Sequence, residues 1–401
     1  MKKIVFFNIP TYGHLNPSLP IVRDLVQAGH KVDYYSYPAA LESIELYEGN
    51  FKALPDRCNK LETALKSTPP PSFPEMNCIL LETTISVMQT LIKDLTSNLP
   101  DVIISDTFCP WGYILAKHLG IRSVVLHATF AFHPSFIPPF ATILLAIFDK
   151  NSKAINIFRS VRHFKKLSNQ VNSIYGTKIQ SIWDLTFAKG NLHLIFISKQ
   201  FQYRAERFDS DHYFIGSTLP SLESHSDKAD VKIPVIYISL GTVFNNQIDF
   251  FKNCILAFNS KHYKVIMSIG RHIKVAELEP IPDNFIVKTS VNQLAVLSQA
   301  SVFITHGGMN SVSEAIINQV PMLLFPQTPE QSLISSRVKH FNGGLILKRA
   351  SVVEMLFAVD RLLKDKSIKQ SLKNLAMYNS QSGGLKFATQ VILANSSSSN
   401  N

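Results

Sequence analysis

"SVFITHGGMNSVSEAIINQVPMLLFP", residues 301–326, decides the fold. A short apolar run, "SVFIT", ends at His306 and a pair of glycines. A helical segment carrying Glu314 follows, and a second apolar run, "PMLLFP", closes the stretch. Strand, turn, helix and strand in this order form a βαβ unit, whose two strands lie parallel in one sheet. The turn presents backbone N–H groups and the positive end of a helix dipole, which together attract an anion. Gly307 and Gly308 keep side chains away, so that a phosphate can approach the backbone. A glycine pair alone is an ordinary turn. With His306, Asn310, Ser311 and Glu314 beside it, the pattern points to a nucleotide: ring and hydroxyl donors for phosphate, and a carboxylate for ribose hydroxyls.

The same rhythm runs outward in both directions. "KIVFF", "PSLPIVRDLVQAG" and "KVDYYS" make a first βαβ unit, with Asn16 and Pro17 as the helix-start signal and Gly29 as its end. "DVIISD", "GYILAKHLG" and "RSVVLHA" make another. After a polar stretch at 218–234, "VIYISLG", "YKVIMSIG" and "NFIVKT" resume the alternation. We therefore expect an α/β chain of two Rossmann-like domains with parallel sheets: 1–217, a linker at 218–234, and 235–395. Residues 396–401, "SSSSNN", hold nothing that builds a core and are expected to be a disordered tail. Mixed apolar and basic helices over 136–190 suit a lid or a ligand-binding wall.

Composition agrees with a globular protein of two domains. Of 401 residues, 46% are hydrophobic and 17% charged, enough apolar residues for two cores. Lysine and arginine number 40 against 29 acidic residues. That balance suits a phosphorylated small molecule or an anionic surface. Nucleic acid is the weakest fit, because no basic run with interleaved aromatics occurs. Cys58, Cys78, Cys109 and Cys254 are scattered, without metal-ligand spacing, and suit a reducing cytoplasm. The N-terminal apolar run is broken by Asn8 and Pro10 before it can make a signal peptide. "FIPPFATILLAIF" (136–148) is too short to span a bilayer, but suits a peripheral membrane contact or an apolar pocket.

Ligands of doubly wound sheets bind beyond the carboxyl ends of the strands. His14 follows the first strand and Asp106 ends "DVIIS". An imidazole oriented by a carboxylate can deprotonate a hydroxyl. The other reading of Asp106 is a cap for the helix "PWGYILAKH", and the residues alone do not choose. Gly241 and Thr242 in "SLGT" offer a second phosphate contact. "NIPTYGHLNP" lacks the GxGxxG spacing, which argues against hydride transfer. "DSD", Asp209–Asp211, matches a metal-holding DxD pattern, but it lies in a charged stretch that reads as a solvated loop.

"PTYGHLNPSLPIVRDLVQAGHKV", "SDTFCPWGYILAKHLGI", "YISLGTVF" and "THGGMNSVSEAIINQVPMLLFPQTPEQ" together resemble the UDP-glycosyltransferase family, in particular its bacterial macrolide glycosyltransferase branch. The resemblance spans nearly the whole chain and is weakest over 136–190. It implies a GT-B fold with two facing domains, the acceptor in the N-terminal half and the UDP-sugar in the C-terminal half. It implies an inverting, metal-independent transfer of a hexose, glucose first, to a hydroxyl of an apolar molecule such as a macrolide or a phenolic. No cofactor beyond the co-substrate is expected. By matching position, His14 is the general base and Asp106 its partner. Thr242, His306, Gly308, Asn310 and Ser311 match diphosphate contacts, Glu314 the ribose contact, and Glu330 and Gln331 the sugar contacts. Gln293 survives from a segment that commonly reads aromatic-Val-Pro-Gln, where the aromatic ring stacks on uracil. Here the segment is Ser290-Val291-Asn292-Gln293, without ring or proline, so the base must be held differently or more weakly. Two alternatives stand beside this reading: a membrane-associated transferase with a lipid acceptor, and a non-catalytic accessory relative.

Overall fold

The computed structural model describes residues 1–56, 59–67, 70–133, 154–219, 233–242 and 245–394. The chain divides into two compact units, Met1–Thr218 with the segment from Gln381 onward, and Leu219–Ser380.

The first unit is built on a seven-stranded parallel sheet. Its strands are β1 (Lys3–Phe7), β2 (Lys31–Ser36), β3 (Asn50–Ala53), β4 (Val102–Asp106), β5 (Arg122–His127), β6 (Leu192–Ile195) and β7 (His212–Phe214). They lie in the order β3-β2-β1-β4-β5-β6-β7. The central strands read as continuous apolar runs because both faces are covered. Ile4 and Phe6 of β1 join one core with the helix Tyr12–Gln27, while Val5 and Phe7 join the other with the helices Phe73–Thr96 and Pro110–Leu119. The helix Ala154–Tyr175 adds Phe164, Leu167 and Val171 to that second core.

The second unit has six parallel strands: β8 (Val235–Ser239), β9 (Lys264–Ser268), β10 (Phe285–Lys288), β11 (Val302–Thr305), β12 (Met322–Leu324) and β13 (Gly344–Ile346). Their order is β10-β9-β8-β11-β12-β13. In each sheet the winding reverses once, between β1 and β4 and between β8 and β11. Those reversals open the crevices where a doubly wound sheet takes its ligand.

Two expectations change. The first helix begins at Tyr12, not at Pro17, so His14 lies in its first turn and both Pro17 and Pro20 lie inside it. The prolines supply no N–H to the turns before them. Around them, Asn8 Nδ2 donates to the His14 carbonyl at 3.0 Å and Ser18 Oγ to the Leu15 carbonyl at 2.7 Å. The helix Gly384–Leu393, read from sequence as part of the second half, packs in the first unit. Its Ala388, Val391 and Ile392 are buried in the core that contains Ile4 and Phe6. Arg122 donates to the carbonyls of Val391, Ile392 and Ala394, and Lys2 Nζ to that of Leu393. Two cations thus meet the negative end of the helix. The "FIPPFATILLAIF" patch, most of the expected linker and the tail at 396–401 lie outside the described residues. Among the described residues no helix is long and apolar enough to cross a membrane.

Candidate active site

In the first unit, the adjacent ends of β1 and β4 bring His14 and Asp106 together across 92 residues of chain. His14 Nδ1 lies 2.8 Å from Asp106 Oδ2. An ionised carboxylate accepts only, so this contact places the ring proton on Nδ1. Asp106 is fully buried, and its Oδ1 accepts the Phe108 N–H at 2.8 Å. The cap position of the helix Pro110–Leu119 is occupied by Cys109 instead. The capping alternative for Asp106 therefore fails. Phe108 also packs its ring edge against the imidazole, with centroids 5.0 Å apart. The His14 side chain keeps 19% exposure, enough to meet a ligand from solvent while the carboxylate behind it stays dry.

In the second unit, β11 ends at Thr305 and the helix Met309–Ile317 starts directly after the glycine turn. Gly307 has φ +82°, and a Cβ there would lie 2.5 Å from Ser335 Oγ. Gly241, with φ +78°, leaves no room for a Cβ beside the His306 ring. Gly308 occupies the cap position, and no side chain caps this helix end. This uncapped start presents the positive end of the helix dipole, which favours an anion. Burial pushes the His306 imidazole down to about 4, against a hydrogen bond to the Ser239 backbone that acts the other way. The ring is neutral near pH 7, so the positive field at the turn comes from the backbone.

Glu314 faces inward one turn later. Gln293 Nε2 donates to Glu314 Oε2 at 2.7 Å and to Ser311 Oγ at 3.2 Å. The structure thus brings Gln293, Ser311 and Glu314 into one hydrogen-bonded cluster. Burial raises the Glu314 carboxyl to about 7, although the Gln293 hydrogen bond lowers it. Gln331 is buried at the start of the helix Pro329–His340, where its Oε1 accepts the Gln327 N–H at 2.7 Å. Its backbone carbonyl would lie 3.4 Å from a Cβ on Gly307, so it borders the glycine turn. Glu330, Thr242 and Ser290 are exposed. Sequence reasoning missed Tyr237, whose hydroxyl donates to Gln293 Oε1 at 3.0 Å. It also missed Phe108. No motif marks either residue; only the fold sets them beside the site.

Residues 223–381 match the family described as "UDP-glucoronosyl and UDP-glucosyl transferase". The chain is 31% identical over 410 residues to the NDP-glycosyltransferase YjiC of Bacillus subtilis (strain 168), covering 98% of each. The chain belongs to the UDP-glycosyltransferase family. A second relative from the same strain, the uncharacterized UDP-glucosyltransferase YojK, is 28% identical over 399 residues, covering 98% of this chain and 97% of its own. Among solved structures, the glycotransferase of kitacinnamycin superposes with a TM-score of 0.82 at 25% identity, covering 98% of each chain. The protein is thus a glycosyltransferase, and its two doubly wound units are those of the GT-B fold. The family takes a nucleotide-sugar donor and a small-molecule acceptor.

The "DSD" segment of this glycosyltransferase is less bland than its sequence. Asp211 Oδ1 lies 2.6 Å from His212 Nδ1, and His193 completes a group whose possible ligand atoms lie within 4.8 Å of one another. The donor set as arranged does not suit a cation. His193 Nδ1 meets His127 Nε2 at 3.0 Å, and a further hydrogen bond joins the ring to the Gly190 backbone. The His193 and His212 rings stack almost parallel, centroids 4.1 Å apart, so their in-plane lone pairs do not converge on one point.

Proposed function

We propose that this enzyme moves a hexose, glucose first, from a UDP-sugar to a hydroxyl of an apolar small molecule, inverting the anomeric centre, in the cytoplasm. The observation that carries the proposal is the 2.8 Å pair between His14 and buried Asp106, placed where the first sheet reverses. With Nδ1 held by the carboxylate, Nε2 takes the acceptor proton. The acceptor oxygen then forms its bond to the anomeric carbon while the bond to the diphosphate breaks, and the electron pair leaves with UDP. One base and one displacement suffice, so no covalent sugar–enzyme intermediate is needed. Asp106 stabilises the imidazolium as it forms.

The second unit supplies the donor side. The N–H groups at the start of Met309–Ile317 meet the diphosphate, with His306, Gly308, Asn310, Ser311 and Thr242 beside them. Glu314 and Gln293 take the ribose, and Glu330 with Gln331 the sugar hydroxyls. Backbone dipoles aimed at the leaving diphosphate do the work a divalent cation performs elsewhere, which makes the proposed transfer metal-independent. The kitacinnamycin enzyme's name supports a natural-product acceptor. The test is His14→Ala, assayed with UDP-glucose against a panel of macrolides and phenolics while UDP binding is followed by calorimetry. Transfer disappears and UDP affinity stays; unchanged turnover refutes the assignment of the base.

A further inference from the structure

We infer that Tyr237 is a positioning residue for the donor site, acting through Gln293 to set the protonation of Glu314. The inference rests on the proposed reading of Glu314 as the ribose contact. Tyr237 sits at the middle of β8, 1% exposed, with its ring stacked on Phe303 at 4.7 Å and 8°. Its hydroxyl donates to Gln293 Oε1 at 3.0 Å and is itself reached by the Ser239 hydroxyl. A primary amide has one accepting and one donating end. Once Oε1 is held by Tyr237, Nε2 must point the other way, and there it meets Glu314 Oε2 at 2.7 Å and Ser311 Oγ at 3.2 Å. The register is therefore set in the core and delivered to the site.

The consequence concerns charge. Glu314 is 8% exposed, and the influences acting on its carboxyl are burial, which raises it to about 7, and the Gln293 hydrogen bond, which lowers it. Tyr237 is the titratable side chain that the cluster brings in from β8. The helix Gln293–Leu297 carries no charged residue. The helix Pro329–His340 carries Glu330, Arg337, Lys339 and His340. His306, at the head of the same segment, is neutral. A carboxylate accepts two ribose hydroxyls, whereas the protonated form has a donor in the place of one acceptor. Nucleotide binding thus expels a proton wherever the carboxyl starts out neutral, and the Tyr237–Gln293 relay determines how high in pH that region extends.

The experiment is calorimetric titration of the full-length protein with UDP from pH 5.5 to 9, for wild type, Tyr237→Phe and Gln293→Met, with melting curves to check that each variant is folded. Wild-type affinity rises with pH through a midpoint near the Glu314 value of about 7. In Tyr237→Phe the midpoint moves up by about half a unit to one unit, because the donor that favours the carboxylate is no longer held. Its affinity at pH 9 stays within about threefold of wild type. Gln293→Met moves the midpoint at least as far. A Tyr237→Phe midpoint equal to wild type, while that of Gln293→Met shifts, overturns the positioning role, as does a uniform loss of affinity without any shift. Absence of UDP binding by the wild type at every pH overturns the donor-site reading itself, and is thereby distinguished from failure of the relay.

Discussion

Glu314→Gln sets stability against function, and its size follows from the structure. The carboxyl titrates at 4.5 when solvated and is raised to about 7 in the fold, chiefly by burial. A raised carboxyl means that the folded state holds its proton longer than the unfolded chain. The stabilisation is fully present below pH 4.5 and is lost as pH rises through 7. At about 1.4 kcal/mol per pH unit, that displacement comes to about 3 kcal/mol, an upper value because water and relaxation soften the cost of the buried charge. Glutamine keeps the shape and an acceptor oxygen for Gln293 Nε2, yet never ionises. The variant should stay within about 1 kcal/mol of wild type at pH 5 and exceed it by about 1–3 kcal/mol at pH 8.5. Both tryptophans, Trp111 and Trp183, belong to the first unit, so their fluorescence reports the wrong half of the chain. The suitable assay is urea-dependent hydrogen exchange of peptides covering β11 and the helix Met309–Ile317, at both pH values. UDP affinity should fall in the same variant, since an amide cannot accept both ribose hydroxyls at full charge. An equal stability gap at pH 5 and 8.5, or no gain at 8.5, refutes the argument that ionising this buried carboxyl is costly.

Asp106→Asn keeps the size of the side chain but lets Nδ1 lose its proton to the other tautomer; kcat should drop about 10²–10⁴-fold with UDP-sugar KM unchanged, and steady-state kinetics decide it. Gly307→Ala forces a Cβ into a φ of +82° and against Ser335 Oγ, and should cost about 1–3 kcal/mol in unfolding free energy along with UDP binding, read by denaturation and calorimetry. A stable variant that still binds UDP would show that the turn has another shape. Ser290→Trp supplies the ring that the family resemblance leads one to expect there and should tighten UDP by about 1–3 kcal/mol, the worth of one stacked base. No gain would mean that the base lies elsewhere in this protein.

Much of this architecture can be read from the chain alone. Apolar runs such as "KIVFF", "DVIIS" and "SVFIT" state parallel strands because a strand buried on both faces has no reason to alternate. The paired glycines at 307 and 308 are equally legible: the positive φ and the crowding by His306 and Ser335 admit no side chain, so the residue type announces the turn. His14 and Asp106 were readable as strand-end residues, but not as a pair. Whether Asp106 oriented the histidine or capped a helix depended on the neighbouring ends of β1 and β4, and a 2.8 Å contact across 92 residues is a property of the sheet order. The place of the last helix was hidden for the same reason. Ala388, Val391 and Ile392 spell an amphipathic helix, but the core that receives it contains Ile4 and Phe6, and the cations at its end are Lys2 and Arg122, all far away in sequence. The Tyr237–Gln293–Glu314 relay is the clearest case of all. Each residue type is ordinary where it stands, and their coupling arises only when β8 and two helices converge on one dry point. Periodicity and backbone demands act locally and leave their mark on composition. Desolvation and hydrogen-bond partnership act through space, so only the tertiary structure decides them.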